Sequence, residues 1–158
     1  RLYYFRPASN GTTLVTTFPV GLGRDEWRTP SGKFKVTGKT ENPTWVLPES
    51  VKKEWRAKGK YAPVSIPGAS PDNPLGLFRL ELSIPMYRIH GTNMPWGVGM
   101  QVSHGCVRLY PEDIERLFPL VPVGVPGEFL YQPVKLGARN GRIFLEVHKD
   151  IYTMAPAL

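Results

Sequence analysis

R-I-H-G-T-N-M-P-W-G-V-G-M-Q-V-S-H-G-C-V-R-L-Y, residues 88–110, holds the chain's single cysteine, Cys106, and two of its three histidines, His90 and His104. Met86 to His90 reads as a short strand that delivers His90 at its end, where catalytic groups commonly sit. Asn93 to Gly99 is a turn-rich connection. Gly91, Gly97, Gly99 and Gly105 punctuate the stretch and let the backbone take positive φ or admit a close neighbour. Met94 and Trp96 lie against substrate or against the core. Beyond the stretch, P-E-D-I-E-R-L-F opens a helix at Pro111. Proline suits the first helical position, and Glu112 and Asp113 suit the positive end of the helix dipole. Ile114, Leu117 and Phe118 form its apolar face, Glu112 and Arg116 are spaced to pair, and Pro119 ends it. The pattern predicts a mostly β domain in which a loop presents the thiol and a short helix anchors that loop.

The residue types are those of a cysteine acyl-transfer site. A thiol attacks as the thiolate, so a base or an imidazolium must adjoin it. Charge that develops on the carbonyl oxygen needs donors already aimed there. His90 and Cys106 are too far apart in the chain for one turn, so the fold must bring them together. His90 is the expected base, taking the Cys106 proton and returning it to the leaving amine. No Asp or Glu lies near it in sequence, so a backbone carbonyl, that of Gly91, is the expected group that fixes its tautomer. The N–H groups of Gly105 and Cys106 are the expected oxyanion donors. The same residues have blander readings. A lone cysteine is often a small buried hydrophobe, and His104 can be a satisfied structural histidine. A structural zinc is disfavoured, because H-x-C lacks the usual paired spacing and supplies one thiolate.

With I-H-G-T followed by S-H-G-C-V-R, the stretch resembles the signature of the L,D-transpeptidase family, the YkuD-type catalytic domain: a histidine, a spacer, then Ser/Thr-His-Gly-Cys and an Arg or Asn just beyond. Here those positions are His90, Ser103, His104, Gly105, Cys106 and Arg108. T-P-S-G-K-F from Thr29 matches a recurrent structural motif of the family. N-P-T-W from Asn42 and D-N-P-L-G from Asp72 match motifs of its envelope-anchoring subgroup. The resemblance implies a YkuD-like β-sandwich or barrel and an enzyme of peptidoglycan stem peptides. Cys106 would attack the carbonyl between the meso-diaminopimelate centre and the terminal D-Ala of a tetrapeptide; D-Ala leaves, and an amine resolves the thioester. It further implies that His104 shapes the oxyanion site or Cys106 itself. Arg108 meets a substrate carboxylate or pairs with Asp113, Ser103 bonds substrate or shapes the turn, and Gly91 lines the substrate site. No cofactor and no metal is implied. The acceptor stays open between a second diaminopimelate amine, giving 3-3 crosslinks, and a lysine of an outer-membrane lipoprotein. Water as acceptor makes the protein an L,D-carboxypeptidase or a detaching amidase. A non-catalytic wall-binding module is the alternative outside enzymes, and it has no need of a thiol and a base together.

The 158 residues suffice for one domain with a sizeable core, and apolar and charged shares of 41% and 21% are those of a folded chain. Gly 16 and Pro 17 make it turn-rich and deny it long helices. The net charge of +7 attracts polyanions. No nucleic-acid motif or dense Lys/Arg block accompanies it, so nucleic acid is not an expected partner; the carboxylate-rich cell wall is one candidate, and a dispersed solubilising surface is the other reading of the charge. One cysteine excludes an internal disulfide and permits an oxidising compartment. No signal peptide and no apolar run of membrane-spanning length occurs. Because the chain opens at Arg1 inside a strand, a targeting segment is expected outside these residues. The resemblance puts the domain in the periplasm or cell envelope.

Along the chain, Leu2 to Arg6 and Thr13 to Pro19 predict a hairpin across Ser9-Asn10-Gly11. Lys33 to Val36 alternates as a strand with one wet face. Residues 41–76 are a proline-rich insertion whose one helical run is Glu49 to Lys58, closed by Gly59. The insertion is a lid by resemblance and otherwise a rigid surface loop. Leu77 to Ser83 alternates without revealing which face is buried. Val121 to Val125 and Glu128 to Val134 are expected strands, and Asn140-Gly141 predicts a type I′ turn between Val134–Leu136 and Ile143–His148. His148 is expected to be an exposed strand residue. The division is a catalytic domain over 1–130 and a C-terminal hairpin extension of the same domain over 131–158.

Overall fold

In a computed structural model, which describes residues 1–153, the chain begins with a hairpin of β1 (Leu2–Pro7) and β2 (Thr13–Phe18). The last residues of the extension expected over 131–158 lie outside the described residues. Short β3 (Leu22–Gly23) leads to the long β4 (Gly32–Glu41). The insertion follows with β5 (Trp45–Val46), α1 (Glu49–Ala57) and β6 (Ser65–Ile66). Next come β7 (Phe78–Leu82), β8 (Arg88–His90), β9 (Gln101–Ser103) and β10 (Val107–Arg108). The chain then runs through α2 (Pro111–Leu117), β11 (Pro126–Phe129), β12 (Val134–Arg139) and β13 (Arg142–Val147). The fold is mostly β, as the turn-rich composition predicts.

The central sheet has the order β10-β8-β7-β4-β11, with β8 and β10 parallel and the other neighbours antiparallel. The pairing of β4 with β7 slips between Val36 and Gly38. Such a slip bends a strand and raises its twist, and the sheet curls into a half-barrel. One face of the sheet holds the core: Val36, Leu80, Leu82, Ile89, Val107 and Leu109, covered by Phe18 and by Ile114, Leu117 and Phe118 of the α2 region. Each fully buried side chain of this size contributes roughly 1.5–3 kcal/mol. The alternation of β7 is thereby resolved: Leu80 and Leu82 face in, while Arg79 and Glu81 fall on the opposite face with Arg88, His90 and Arg108.

Several expectations need correction. Residues 121–125 form no strand. Pro122 lacks an N–H, and Gly124, at φ +92°, sits in a turn whose amide still bonds Val36 O at 2.7 Å. The ladder begins instead at Pro126, tolerated because β11 is an edge strand, and ends at Phe129 well short of Val134. Arg116 lies near Asp113 (3.8 Å) and over the Phe18 ring rather than on Glu112. The late hairpin turns at Asn140-Gly141, both at positive φ as a type I′ turn requires; β12 runs on to Arg139, beyond the expected Leu136, and β13 starts one residue earlier than expected and ends at Val147, one short of His148. His148 is exposed one residue beyond β13, beside Glu146.

The insertion has a small core of its own: Leu47, Val51 and Ile66, with Trp45 and Trp55 edge to face at 6.1 Å. Buried Asn73 stitches it. Its Nδ2 donates to Pro43 O (2.8 Å) and Pro67 O (3.0 Å), and its Oδ1 accepts from Leu75 N (2.9 Å). That joins the N-P-T-W and D-N-P-L-G stretches.

Candidate active site

Cys106 immediately precedes β10, whose Val107 and Arg108 lie opposite Ile89 and His90 of β8. Successive residues of a strand point to opposite faces. Ile89 and Val107 therefore enter the core, while His90, Cys106 and Arg108 fall on the other face. The residues separated in sequence are thus brought together by one parallel strand pair.

His90 is 3% exposed, and its Nδ1 lies 2.7 Å from Gly91 O. A carbonyl accepts only, so Nδ1 carries the hydrogen and Nε2 keeps its lone pair. Burial, with help from the Arg108 cation, holds the His90 pKa down to about 3. The imidazole is neutral at physiological pH. Gly91 is itself buried: its carbonyl serves His90 and its amide donates to Phe78 O at 3.1 Å, so the expectation of Gly91 as a substrate contact gives way to one of orienting His90.

Cys106 is half-buried, and its Sγ lies 3.7 Å from Met86 O. Burial pushes the thiol up, against the pull of the Arg88 and Arg108 cations. Thiol and imidazole therefore rest in their neutral forms. The turn before Cys106 is built by Ser103. At 1% exposure, its Oγ accepts from Gly105 N (3.0 Å) and donates to Cys106 O (2.6 Å). Of the two readings of Ser103, these bonds favour the one in which it shapes the turn. The Gly105 N–H is taken by Ser103 Oγ, which leaves Cys106 N–H as the candidate oxyanion donor of the expected pair. Gly105 itself sits at φ +105°, where an added Cβ would come within 2.5 Å of the Tyr87 ring.

Arg108 is bonded through its backbone to Gly21, at 2.8 and 2.9 Å, and its buried Nε has no partner among the described residues. It makes no ion pair with Asp113, which lies with Arg116, Glu112 and Arg1. An arginine held on the site face without a carboxylate suits an incoming one.

Five supporting residues, Arg24, Trp27, Thr29, Glu54 and Tyr152, were not singled out from the sequence as parts of the site. His104 Nε2 lies 2.8 Å from Arg24 Nη2 and 3.1 Å from Glu54 Oε2, and its ring meets Trp27 at 5.3 Å. Burial and Arg24 lower its pKa, with Glu54 opposing. Thr29, in the T-P-S-G-K-F motif, donates its Oγ1 to Gly105 O at 2.9 Å. Buried Tyr152 donates its OH to Gly23 O at 2.6 Å, just beneath Thr29. Only Thr29 carried a signal, through its motif. Among the described residues, no three His, Cys, Asp or Glu side chains gather as a metal site needs.

The family model for the L,D-transpeptidase catalytic domain, YkuD, matches residues 1–134. The chain belongs to that family. It is 43% identical over 155 residues to "Probable L,D-transpeptidase YbiS" of Escherichia coli K12, covering 97% of this chain and 49% of that protein. It is 40% identical over 153 residues to "Probable L,D-transpeptidase ErfK/SrfK" of the same strain, covering 96% and 48%. The chain thus spans about half the length of these curated relatives. Among solved structures, the L,D-transpeptidase LdtMt1 in complex with imipenem is 25% identical with a TM-score of 0.51, over 80% of this chain and 53% of that one. The Ldtfm–avibactam carbamoyl enzyme, at 22% identity, shares the fold with a TM-score of 0.52 over 75% and 41%. No helix among the described residues is long and apolar enough to cross a membrane.

Proposed function

We propose that this domain catalyses L,D-transpeptidation on peptidoglycan stem peptides, with Cys106 as nucleophile and His90 as base. The observation that carries the reading is the strand pair that puts the thiol and a neutral imidazole, its Nδ1 taken by Gly91 O, on one face with Arg108, whose buried Nε has no partner among the described residues. Cys106 Sγ attacks the carbonyl preceding the terminal D-Ala while its proton passes to His90 Nε2. The developing oxyanion accepts from Cys106 N–H. The C–N bond breaks, His90 returns the proton to the departing amine, and a thioester remains. An acceptor amine attacks it and gives its proton to His90, and a new amide forms as Cys106 leaves and takes that proton back, restoring the neutral pair. Arg108 holds a substrate carboxylate. Because the resting pair is neutral, the proton moves during attack rather than before it.

The names of the relatives support the reaction class. Peptidoglycan as substrate, a diaminopimelate or lipoprotein lysine amine as acceptor, and a periplasmic setting follow from that class. Incubation with purified disaccharide-tetrapeptide and a lysine-bearing acceptor peptide, read by mass spectrometry, tests the proposal. Loss of D-Ala with a new crosslink supports it and names the acceptor. Loss of D-Ala without a crosslink replaces it with hydrolysis.

A further inference from the structure

The insertion folds around its own core, yet one of its side chains reaches the turn that carries the thiol. Glu54, on α1, grips the guanidinium of Arg24 with both oxygens: Oε1 to Nη1 at 3.3 Å and Oε2 to Nη2 at 3.1 Å. Arg24 Nη2 lies 2.8 Å from His104 Nε2, and Glu54 Oε2 lies 3.1 Å from the same nitrogen. One imidazole nitrogen cannot both accept from an arginine and donate to a carboxylate. An arginine only donates, so the shorter contact makes Nε2 the acceptor and leaves Nδ1 to carry the hydrogen; burial and Arg24 lower the His104 pKa in the same sense. Glu54 then acts on His104 through Arg24, fixing the planar fork that donates to it. Arg24 is also tied to the turn by its backbone, N to Ser103 O at 3.0 Å. His104 is two residues before Cys106, so its ring orientation and that of the turn are linked. Lys58, at the C-terminal cap of α1, pairs its Nζ with Glu54 Oε1 at 2.7 Å, one turn along the helix from Glu54.

We propose that Glu54 is a positioning residue: by clamping the Arg24 fork on His104, it makes the seating of the insertion a condition for a reactive Cys106 turn. This rests on the reading of Cys106 as the nucleophile. When the insertion lifts, the carboxylate leaves, Arg24 loses its orienting partner, and the turn loses a fixed point. Displacing reacting groups by about 1 Å costs on the order of a hundredfold in rate. A looser turn is expected to slow acylation by roughly tenfold to a hundredfold while the core, which Glu54 does not enter, stays intact.

The test compares the wild-type protein with Glu54→Ala, Glu54→Gln and Lys58→Ala. The rate of Cys106 acylation by imipenem is read by intact mass, the ring nitrogen shifts of His104 and His90 by NMR, and stability by urea unfolding. The expected result is slower acylation in both Glu54 variants, with moved His104 resonances and unmoved His90 resonances. Lys58→Ala should acylate at the wild-type rate. Unmoved His104 resonances in Glu54→Ala, or moved resonances with an unchanged acylation rate, would overturn the proposal. So would slow acylation in Lys58→Ala equal to that of Glu54→Ala, since the effect would then be one of helix electrostatics. If the wild type is not acylated while His104 still responds to Glu54→Ala, the functional reading of Cys106 fails and the network is only a structural clamp.

Discussion

Ser103→Ala removes one oxygen from a buried turn. Ser103 is 1% exposed, and its Oγ serves two backbone groups, accepting from Gly105 N at 3.0 Å and donating to Cys106 O at 2.6 Å. Each group left unpaired costs roughly 1–3 kcal/mol, and relaxation of the turn recovers part of that, so the expected loss is about 2–4 kcal/mol. For a domain of this size that lowers the melting temperature by roughly 5–15 °C, a large share of a total stability of about 5–15 kcal/mol. Equilibrium urea unfolding followed by tryptophan fluorescence measures it. Because the substitution loosens the turn rather than a substrate contact, the acylation rate at saturating substrate should fall as well. A loss below about 0.5 kcal/mol, the range of ordinary surface changes, would refute the reasoning. So would an unchanged stability with a raised KM, which would return Ser103 to the substrate.

The other predictions concern protons and supports. His90 is held neutral with a pKa of about 3, whereas its unfolded pKa is near 6.5, so below that value the unfolded chain binds a proton the native one refuses. Stability should therefore fall with pH from about 6.5 toward 3, by about 3 kcal/mol at pH 4, and His90→Gln should flatten that part of the urea-unfolding pH profile. The Cys106 thiol is raised by burial, so its alkylation by iodoacetamide should climb with pH beyond the ordinary thiol range, with Arg108→Ala pushing it further up; a plateau at neutral pH would indicate a preformed ion pair. Tyr152→Phe leaves Gly23 O without its donor and should cost roughly 1–3 kcal/mol in urea unfolding, with slower imipenem acylation because Thr29 bridges this region to Gly105. Gly105→Ala, at φ +105° and against the Tyr87 ring, should lower stability by about 1–3 kcal/mol or more and acylation with it.

Local signals in the sequence were strong where one short stretch decides a structure. Asn140-Gly141 demands positive φ twice, Pro111 with Glu112 and Asp113 starts a helix, and the strand that ends at His90 needs only its own residues. The choice of the Gly91 carbonyl followed from the absence of a nearby acid. Val121 to Val125 misled because β-branched residues outweighed Pro122 and Gly124, whereas the ladder obeys the missing N–H and the turn. The face of β7 was undecidable locally, since Arg79, Glu81 and the leucines alternate equally well in either orientation; packing against Ile114 and Leu117 decides it. Arg24, Glu54 and Tyr152 were invisible because a single charged or aromatic residue has no period and each acts across a long separation in the chain. Gly105 as a donor was a reasonable inference from its neighbours, and only the inward turn of the Ser103 hydroxyl rules it out.

The most direct test of the account is a brief incubation of the protein with disaccharide-tetrapeptide and no acceptor, quenched in acid and read as intact mass with peptide mapping. The account predicts one added tripeptide-disaccharide acyl group on the peptide that contains Cys106, matched by released D-Ala, and neither in Cys106→Ala. Release of D-Ala by Cys106→Ala, or an acyl group on any other residue, would contradict it.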